Sequence, residues 1–587
     1  MRDGIKAVGR ELLCRITVAA LVACGVTAAF AERRLSLDAY RDKMQGGWIG
    51  QIAGVCYGAP TEFKWRDAIM PEQDLPKWRP ELINEAFEQD DLYVEMTFLR
   101  TLERHGLDVS ARQAGIDFAN SEYCLWCANH AGRTNLRKGI APPDCSHPKF
   151  NSRCNDIDYQ IEADYAGLIA PGCPQEVIRL GETFGRLMNF GDGVWAGQFV
   201  GALYAAAFFT SDVNELLDEG LKAIPAESDY AQMVRSVRAW RREFPNGWTN
   251  AWEKACATYS AKRNPKLRDS NGGIDVRLNG AAVVLGLVYG GGDFDRSMEI
   301  STRCGWDSDC NPSSVCGVLG CARGLSGLDR KYTEKIDRVT KFSYTSYNLP
   351  ELFTVCEKLM RQIVVRNGGR IERDSDGKEW IVLTDKTPVP SPFVPSWQAG
   401  PVANSRFTEA EMAQQTQALH LPDAKTLKDP DPTVRVQKAL DALWPGWKTS
   451  PNGPDGRTGY CESVFTTGKW LYGCVRTAAP DREGSVTLSR TLKVPEGDPR
   501  LRFTVANQPQ GAIRIAVRVN GAELLKTVLD KQMVKPTHTP CQTFDLSLEP
   551  WAGKTVTMEL VHQPAGERND LAVWNDIRIV ANNGVLE

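Results

Sequence analysis

The hydrophobic pattern of this chain changes period once, and that change limits it to two kinds of folded unit. Over residues 37–361 apolar side chains recur at helical spacing; between Asp91 and His105, for example, Leu92, Met96, Leu99 and Leu102 share one face. The stretch from Gly197 to Phe209 is apolar nearly all round, the pattern of a central helix. Another helix is expected after Asp309-Cys310-Asn311-Pro312, where Pro312 suits a first turn and Gly317, Gly320 and Ala322 permit close approach of a neighbour. Beyond about Thr458 apolar and polar residues alternate instead. Strands are expected over 486–492, 501–505, 513–519, 556–561 and 572–580, with Asn520-Gly521 as a hairpin turn. Short strands at this spacing predict a β-sandwich.

Between the two patterns, residues 363–384 read as a β-hairpin turning at Asp374 to Gly377, followed by Pro388, Pro390, Pro392, Pro395 and Pro401. Those prolines predict an extended linker over 386–404. The expected organisation is a leader (1–31), an all-α bundle with the hairpin excursion (37–385), the linker, and a helical lead-in with the sandwich (405–587).

The leader carries Arg2, Lys6, Arg10 and Arg15, then the apolar run Ile16 to Ala31 closing on Ala29-Phe30-Ala31. This is the pattern of an export signal, shorter than the ~20 apolar residues of a spanning helix. Two processing routes are open: cleavage after Ala31, or lipidation at Cys24, because Leu21-Val22-Ala23-Cys24-Gly25 resembles a bacterial lipobox. Either route predicts an extracytoplasmic protein, whether periplasmic, secreted or an outer-membrane lipoprotein, with membrane attachment only if Cys24 is lipidated. Of 17 cysteines, Cys14 and Cys24 precede the cut and leave an odd number behind it, so at least one has no partner within the chain. Cys124, Cys127, Cys145 and Cys154, with His130 and His147, match no common zinc module, and local disulfides are the expected reading; Cys461 and Cys474 are a further candidate bridge.

Lys plus Arg number 70 against 73 Asp plus Glu, a net charge of −3, so no global basic excess exists to collect nucleic acid. The balance conceals carboxylates concentrated at Asp90-Asp91, Asp156 to Asp164 and Asp307-Ser308-Asp309. A single Asp pair at a helix start is explained by capping and the helix dipole. Two such pairs on one bundle repel each other unless a divalent cation or shared protons offset the charge. Hard oxygen ligands favour Mg²⁺, Mn²⁺ or Ca²⁺ rather than zinc. The alternation Asp158, Gln160, Glu162, Asp164 fits one face of a solvated strand, yet carboxylates and amides are also what binds sugar hydroxyls. These four are candidate substrate-binding residues, with Asn129, Arg133 and Asn135 in the preceding segment and Asn189 to Gly193 as a candidate cleft floor.

Gly46-Gly-Trp-Ile-Gly-Gln-Ile-Ala-Gly54 leading to Gly58-Ala-Pro-Thr-Glu-Phe63, then Gln89-Asp90-Asp91, then Gly305-Trp-Asp307-Ser-Asp309-Cys-Asn311, resemble in order and spacing the ADP-ribosylglycohydrolase family. The resemblance covers roughly residues 37–361. It implies an all-helical fold whose cleft holds two Mg²⁺ ions, which bind ribose hydroxyls and orient a water for hydrolysis of a glycosidic bond. Carried across, it implies Glu62, Asp91 and Asp309 as catalytic and Gln89, Asp90, Asp91, Asp307 and Asp309 as metal ligands. Three positions depart from the family's pattern: Gln89 and Cys310 stand where threonines are common, and Val55 where an Asp is usual. A thiol is a poor ligand for Mg²⁺, so the number of metals, one or two, is the first property these departures touch.

The functional expectation is an exported hydrolase that cleaves a glycosidic bond of a carbohydrate with a divalent-metal carboxylate cleft. One alternative is an ADP-ribosyl glycohydrolase acting on a modified protein or small molecule. Another is a catalytically silent carbohydrate-binding protein. Trp470, Trp551 and Trp574 are the sandwich aromatics to inspect for sugar stacking.

Overall fold

Ser36 caps the first long helix, accepting from Ala39 N–H at 3.2 Å, and α1 (Leu37–Gly58) then runs buried along nearly its whole length. In the computed structural model, which describes residues 32–264, 266–267, 274–466, 469–508, 511–530, 541–566, 571–581 and 584–586, the chain forms two compact units. The first takes the chain to Ser121, with Cys127–Leu136 and Ile140–Thr408; the second takes Glu122–Trp126, Arg137–Gly139 and Glu409–Glu587. The leader, with Cys24, Ala31 and both processing routes, lies outside the described residues.

The first unit is helical. Its principal helices are α1, α2 (Asp90–His105), α3 (Cys127–Arg137), α4 (Asp192–Ala207), α5 (Val276–Gly290), α6 (Cys310–Arg323) and α7 (Leu349–Arg366). α4 and α5 are buried on almost every residue, as helices surrounded by others must be. α1 packs against α6 through a glycine ridge. A Cβ at Gly46, Gly50, Gly54 or Gly58 would lie 2.4, 2.1, 2.3 or 2.0 Å from the carbonyl oxygen of Gly320, Cys316, Pro312 or Ser308. Four glycines at a spacing of four put one face of α1 directly on the α6 backbone, which fixes the height of the turn leading into α6.

The bundle also carries a small antiparallel sheet, so it is not purely helical. Residues 363–366, expected as strand, instead finish α7, whose start is fixed by an Asn348/Glu351 capping box. Ile363 and Val364 face the helical core while Val365 is exposed, so the period of this β-branched run is settled by the helix to which it belongs. The hairpin begins after Gly368 (φ +82°), as β2 (Arg370–Arg373) and β3 (Glu379–Thr384). β3 also pairs with β1 (Glu32–Ser36), in the order β1-β3-β2. The proline-rich stretch is bonded to the bundle: Ser391 Oγ donates to Glu182 (2.7 Å), Ser396 Oγ to Asp192 (2.9 Å), and Asp144 accepts from Ala403 and Ser405 N–H. The stretch is a strap on the first unit.

The second unit opens with α8 (Pro432–Leu443), capped by Asp431, and continues as two antiparallel sheets. One has the order β10-β9-β12-β7-β4, from β4 (Lys448–Thr449), β7 (Val486–Lys493), β9 (Ala512–Val519), β10 (Ala522–Asp530) and β12 (Thr555–Pro564). The other has the order β11-β8-β13-β6-β5, from β5 (Gly459–Phe465), β6 (Trp470–Thr477), β8 (Arg500–Gln508), β11 (Cys541–Ser547) and β13 (Leu571–Ala581), with β14 (Gly584–Leu586) on β13. Leu488, Phe503, Val505, Ile515, Val517, Met558, Leu560 and Trp574 share one buried core with Val436 and Leu440 of α8, the inward halves of period-two strands. Asn520 (φ +50°) and Gly521 (φ +79°) turn the β9–β10 hairpin.

None of the three inspected tryptophans is exposed. Trp574 is fully buried with Nε1 donating to Thr477 Oγ1 (2.9 Å), Trp551 packs on the core, and Trp470 Nε1 donates to Leu125 O (2.8 Å). The exposed ring of that region is Trp126, at 42% exposure, stacked edge-on to Phe465. No described helix is long and apolar enough to cross a membrane.

Candidate active site

Two loops are zipped together by backbone hydrogen bonds. Phe63 N–H donates to Trp306 O and Trp306 N–H to Trp65 O, both at 2.8 Å, and the hydroxyls of Thr61 and Ser308 meet at 2.7 Å. Phe63 and Trp306 hold positive φ (52° and 56°) and Gly305 lies at φ +78°, an outlying backbone that this zipper over-determines. Its effect is to fix the segment bearing Glu62 to the turn bearing Asp307 and Asp309, at the start of α6.

Asp307 and Asp309 are 6% and 5% exposed. Ligand atoms of Asp307, Asp309 and Cys310 all lie within 4.8 Å of one another, the one such group among the described residues. Across from them, at the N-terminus of α2, Asp91 is fully buried and its Oδ2 accepts from Cys310 Sγ at 3.2 Å. One oxygen each of Asp91, Asp307 and Asp309 makes no hydrogen bond. Buried carboxylate oxygens without partners are rare unless something else satisfies them. Gln89 stands in extended conformation immediately before α2, its carbonyl accepting from Leu92 and Tyr93 N–H.

Electrostatics agree with the geometry. Burial, then the Glu62 charge, pushes the Asp307 carboxyl up to about 7. Burial and then its partners raise Asp91 (through Asp90 and Asp309) and Asp309 (through Asp307), and burial raises Asp90. Glu62 is exposed on one side, while its desolvated side and the charges of Asp309 and Asp90 push its carboxyl up to about 8. Like charges this close require a cation or shared protons.

The 156–164 segment forms buried short helices, Asp158–Ile161 and Asp164–Leu168, not a solvated strand. Of its candidates Glu162 faces the carboxylate centre most directly. It is fully buried, takes a hydrogen bond from Asn129 Nδ2, leaves Oε2 without a partner, and is raised by burial, by Asp158 and by Asp90 and Asp91. Asp158 accepts from the N–H groups of Ala128 (3.2 Å) and Asn129 (2.8 Å) at the start of α3, so it positions Asn129. Gln160 accepts from Tyr230 OH (2.9 Å) and Asp164 from Tyr204 OH (2.7 Å), both inside the core. Arg133 donates to Ser121 and Asn135 to the carbonyls of Cys145 and Phe150, which are loop-holding roles. Asn189 likewise bonds Tyr159 N–H and the Cys154 and Asp156 carbonyls. Val55 is buried inside α1.

Two features lay outside the sequence reading. Glu95 sits one helical turn beyond Asp91, fully buried, accepting from Gln51 Nε2 (2.8 Å) and Tyr165 N–H (2.7 Å), and raised by burial and by Asp164. The i,i+4 spacing from Asp91 was its signal. Asn311 donates to Asn279 Oδ1 (3.0 Å), a pairing of distant residues that no spacing announces.

The expected disulfides among Cys124, Cys127, Cys145 and Cys154 are not formed. Cys145 Sγ donates to Arg186 O (3.5 Å) and Cys127 Sγ accepts from Arg153 Nη2 (3.2 Å), so the local backbone directs these thiols to separate partners. Cys461 and Cys474 stand directly opposite each other across β5 and β6, as thiols.

A helical unit with this zippered carboxylate centre defines a glycohydrolase-type fold. The profile of the ADP-ribosylglycohydrolase family matches residues 36–366, more than half of the chain, and the chain belongs to that family. No curated protein matches. Among solved structures, an ADP-ribosylglycohydrolase-related protein complex is 15% identical, covering 56% of this chain and 100% of that one at a TM-score of 0.38. Two further solved structures each cover 23% of this chain: the K3 cleaved adhesin domain of Lys-gingipain from Porphyromonas gingivalis (16% identity, 92% of that chain, TM-score 0.18) and TmCBM61 in complex with beta-1,4-galactotriose (14%, 88%, 0.17).

Proposed function

We propose that this chain is an exported hydrolase that cleaves a glycosidic bond of a carbohydrate, with Glu62, Asp91 and Asp309 at the reacting centre. The observation that carries the reading is a buried group in which Asp307 and Asp309 lie within 4.8 Å of each other and of Cys310, Asp91 contacts Cys310, and each of the three carboxylates keeps one oxygen without a hydrogen bond. That donor set fits a divalent cation, which Asp90, Asp91, Asp307 and Asp309 would hold. When bound, such an ion offsets the carboxylate charge and supplies an acidified water and a clamp for a sugar diol.

The chain's own residues do the rest. Glu62, whose carboxyl is raised first by its desolvated side, is placed to give a proton to the departing glycosidic oxygen. Glu162 Oε2 and Asn129 Oδ1, both without partners, are acceptors for sugar hydroxyls. The 61–65 and 305–309 loops fix the separation of acid and carboxylate centre.

Preference for a carbohydrate over an ADP-ribosyl group is supported by the export-type leader and by the lining. Arg153 is paired with Asp156 (2.8 Å) and Arg133 with Ser121, and the remaining groups described above are carboxylates and amides, suited to hydroxyls more than to a diphosphate. The test is turnover of a panel of aryl furanosides and pyranosides by the full chain, with Asp309→Ala as control. Hydrolysis lost in the variant supports the proposal. Divalent-dependent release of ADP-ribose from a modified protein, without glycoside turnover, replaces it by the alternative activity; sugar affinity without turnover of either replaces it by a binding role.

A further inference from the structure

Cys310 puts sulfur where a Mg²⁺ centre has no use for it. Its thiol is not turned into the packing of α6, as that of Cys321 is toward Tyr204 O (3.7 Å). It faces Asp91 Oδ2 at 3.2 Å and lies within 4.8 Å of ligand oxygens of both Asp307 and Asp309. Around it stand three carboxylates, each more than nine-tenths buried, each with one oxygen that makes no hydrogen bond. Two oxygens and one sulfur within 4.8 Å of one another, with Asp91 beside the sulfur, are the donor set of a compact four-coordinate ion that keeps one position open.

We propose that this centre selects a thiophilic divalent cation of the Zn²⁺ type, held by Cys310 Sγ with Asp307 and Asp309 and keeping a fourth position open beside Asp91 for water or substrate, in place of an all-oxygen Mg²⁺ site. The proposal rests on the carboxylate cleft described above but not on the identity of its substrate. Zn²⁺ takes thiolate sulfur at about 2.3 Å and carboxylate oxygen at about 2.0–2.2 Å in a tetrahedron, whose edges are then roughly 3.5 Å. The ligand atoms of Asp307, Asp309 and Cys310, within 4.8 Å of one another, close to that by side-chain rotation of about 1 Å. Mg²⁺ demands six oxygens near 2.0–2.1 Å in octahedral geometry and gains nothing from sulfur. As the sulfur–metal bond forms, the thiol proton leaves to bulk water; the metal keeps its oxidation state and no further reactant enters. Glu62 stays outside the tetrahedron and keeps its role as acid.

The experiment uses the full chain stripped by chelator and titrated with Co²⁺ as a spectroscopic probe, then with Zn²⁺ and Mg²⁺ in competition. One equivalent of Co²⁺ is expected to give a thiolate-to-cobalt charge-transfer band and tetrahedral d–d bands. Cys310→Thr and Cys310→Ser, each checked for native far-ultraviolet dichroism and melting, should lose the charge-transfer band and bind Zn²⁺ at least 100-fold more weakly. Cys461→Ser should keep both properties. A band that survives in a folded Cys310 variant, no band in the parent, or displacement of Co²⁺ by equimolar Mg²⁺ overturns the proposal. Charge transfer without glycoside turnover leaves the metal inference standing and removes the substrate reading; Mg²⁺-supported turnover without charge transfer does the reverse.

Discussion

Gly54→Ala tests whether the glycine ridge of α1 sets the geometry of the carboxylate centre. The new Cβ would stand 2.3 Å from Pro312 O and 2.6 Å from Ser313 N, against about 3.4 Å for an ordinary contact. Both atoms are α6 backbone and cannot swing aside, so the helices must part locally by about 1 Å. Overpacking costs ~1–3 kcal/mol, the upper end applying where nothing can rotate away, while alanine returns about 1 kcal/mol of helix propensity. The net loss is about 2 kcal/mol, roughly 3 °C in Tm for a unit of this size. Function should suffer more than stability: Pro312 lies one turn from Asp309, and a 1 Å displacement of a reacting group costs about 100-fold. The assay pairs thermal melting with divalent-ion affinity and glycoside turnover. Gly400→Ala is the control, since a Cβ there meets nothing within 4 Å and should stay within about 0.5 kcal/mol. If Gly54→Ala melts, binds ion and turns over like the parent, the ridge does not position the site.

Glu162→Gln keeps the contact with Asn129 but removes the charge facing Asp90 and Asp91; it should raise KM about 10-fold with little change in Tm, and an unchanged KM would remove Glu162 from the substrate lining. Asp158→Asn should instead cost about 1–2 kcal/mol of stability by weakening the cap on α3, measured by urea denaturation; a purely kinetic effect would reverse that assignment. Metal-free protein should lose stability as pH rises from 5 to 8. Asp158 and Asp192 are raised to about 6, Asp307 to about 7 and Asp164 to about 8 from 3.8. In that window the native state binds more protons than the unfolded state, so unfolding free energy falls with pH. Adding a divalent ion should recover more Tm at pH 8 than at pH 5, and a chelated protein that gains Tm from pH 5 to 8 contradicts the assignment.

What the sequence makes legible here is what depends on local period. Leu92, Met96, Leu99 and Leu102 mark α2, and Ile513 to Val519 marks a strand, because one side of each element faces a core. Ile363 to Arg366 misleads for the same reason: β-branched residues favour strands, but tertiary packing and the Asn348 cap upstream keep them helical. The carboxylate pairs are visible as pairs, and only the family's order of motifs brings them together. The division of labour within 156–164 is invisible, since Asp158, Gln160, Glu162 and Asp164 are alike in composition and differ only in which hydrogen-bond donors surround them.

The same contrast explains how the centre tolerates its departures. The glycine ridge and the Phe63–Trp306–Trp65 hydrogen bonds are backbone contacts, indifferent to the side chains that project from them, with the Thr61–Ser308 hydroxyl pair as the one side-chain link described. A fold held this way fixes the positions of ligand-bearing Cα atoms and leaves the ligand atoms free to change. On the proposed reading, sulfur at 310 alters which ion the centre prefers without altering where Asp307, Asp309 and Glu62 stand, and substrate choice varies separately through Glu162 and Asn129, which a different helix start controls.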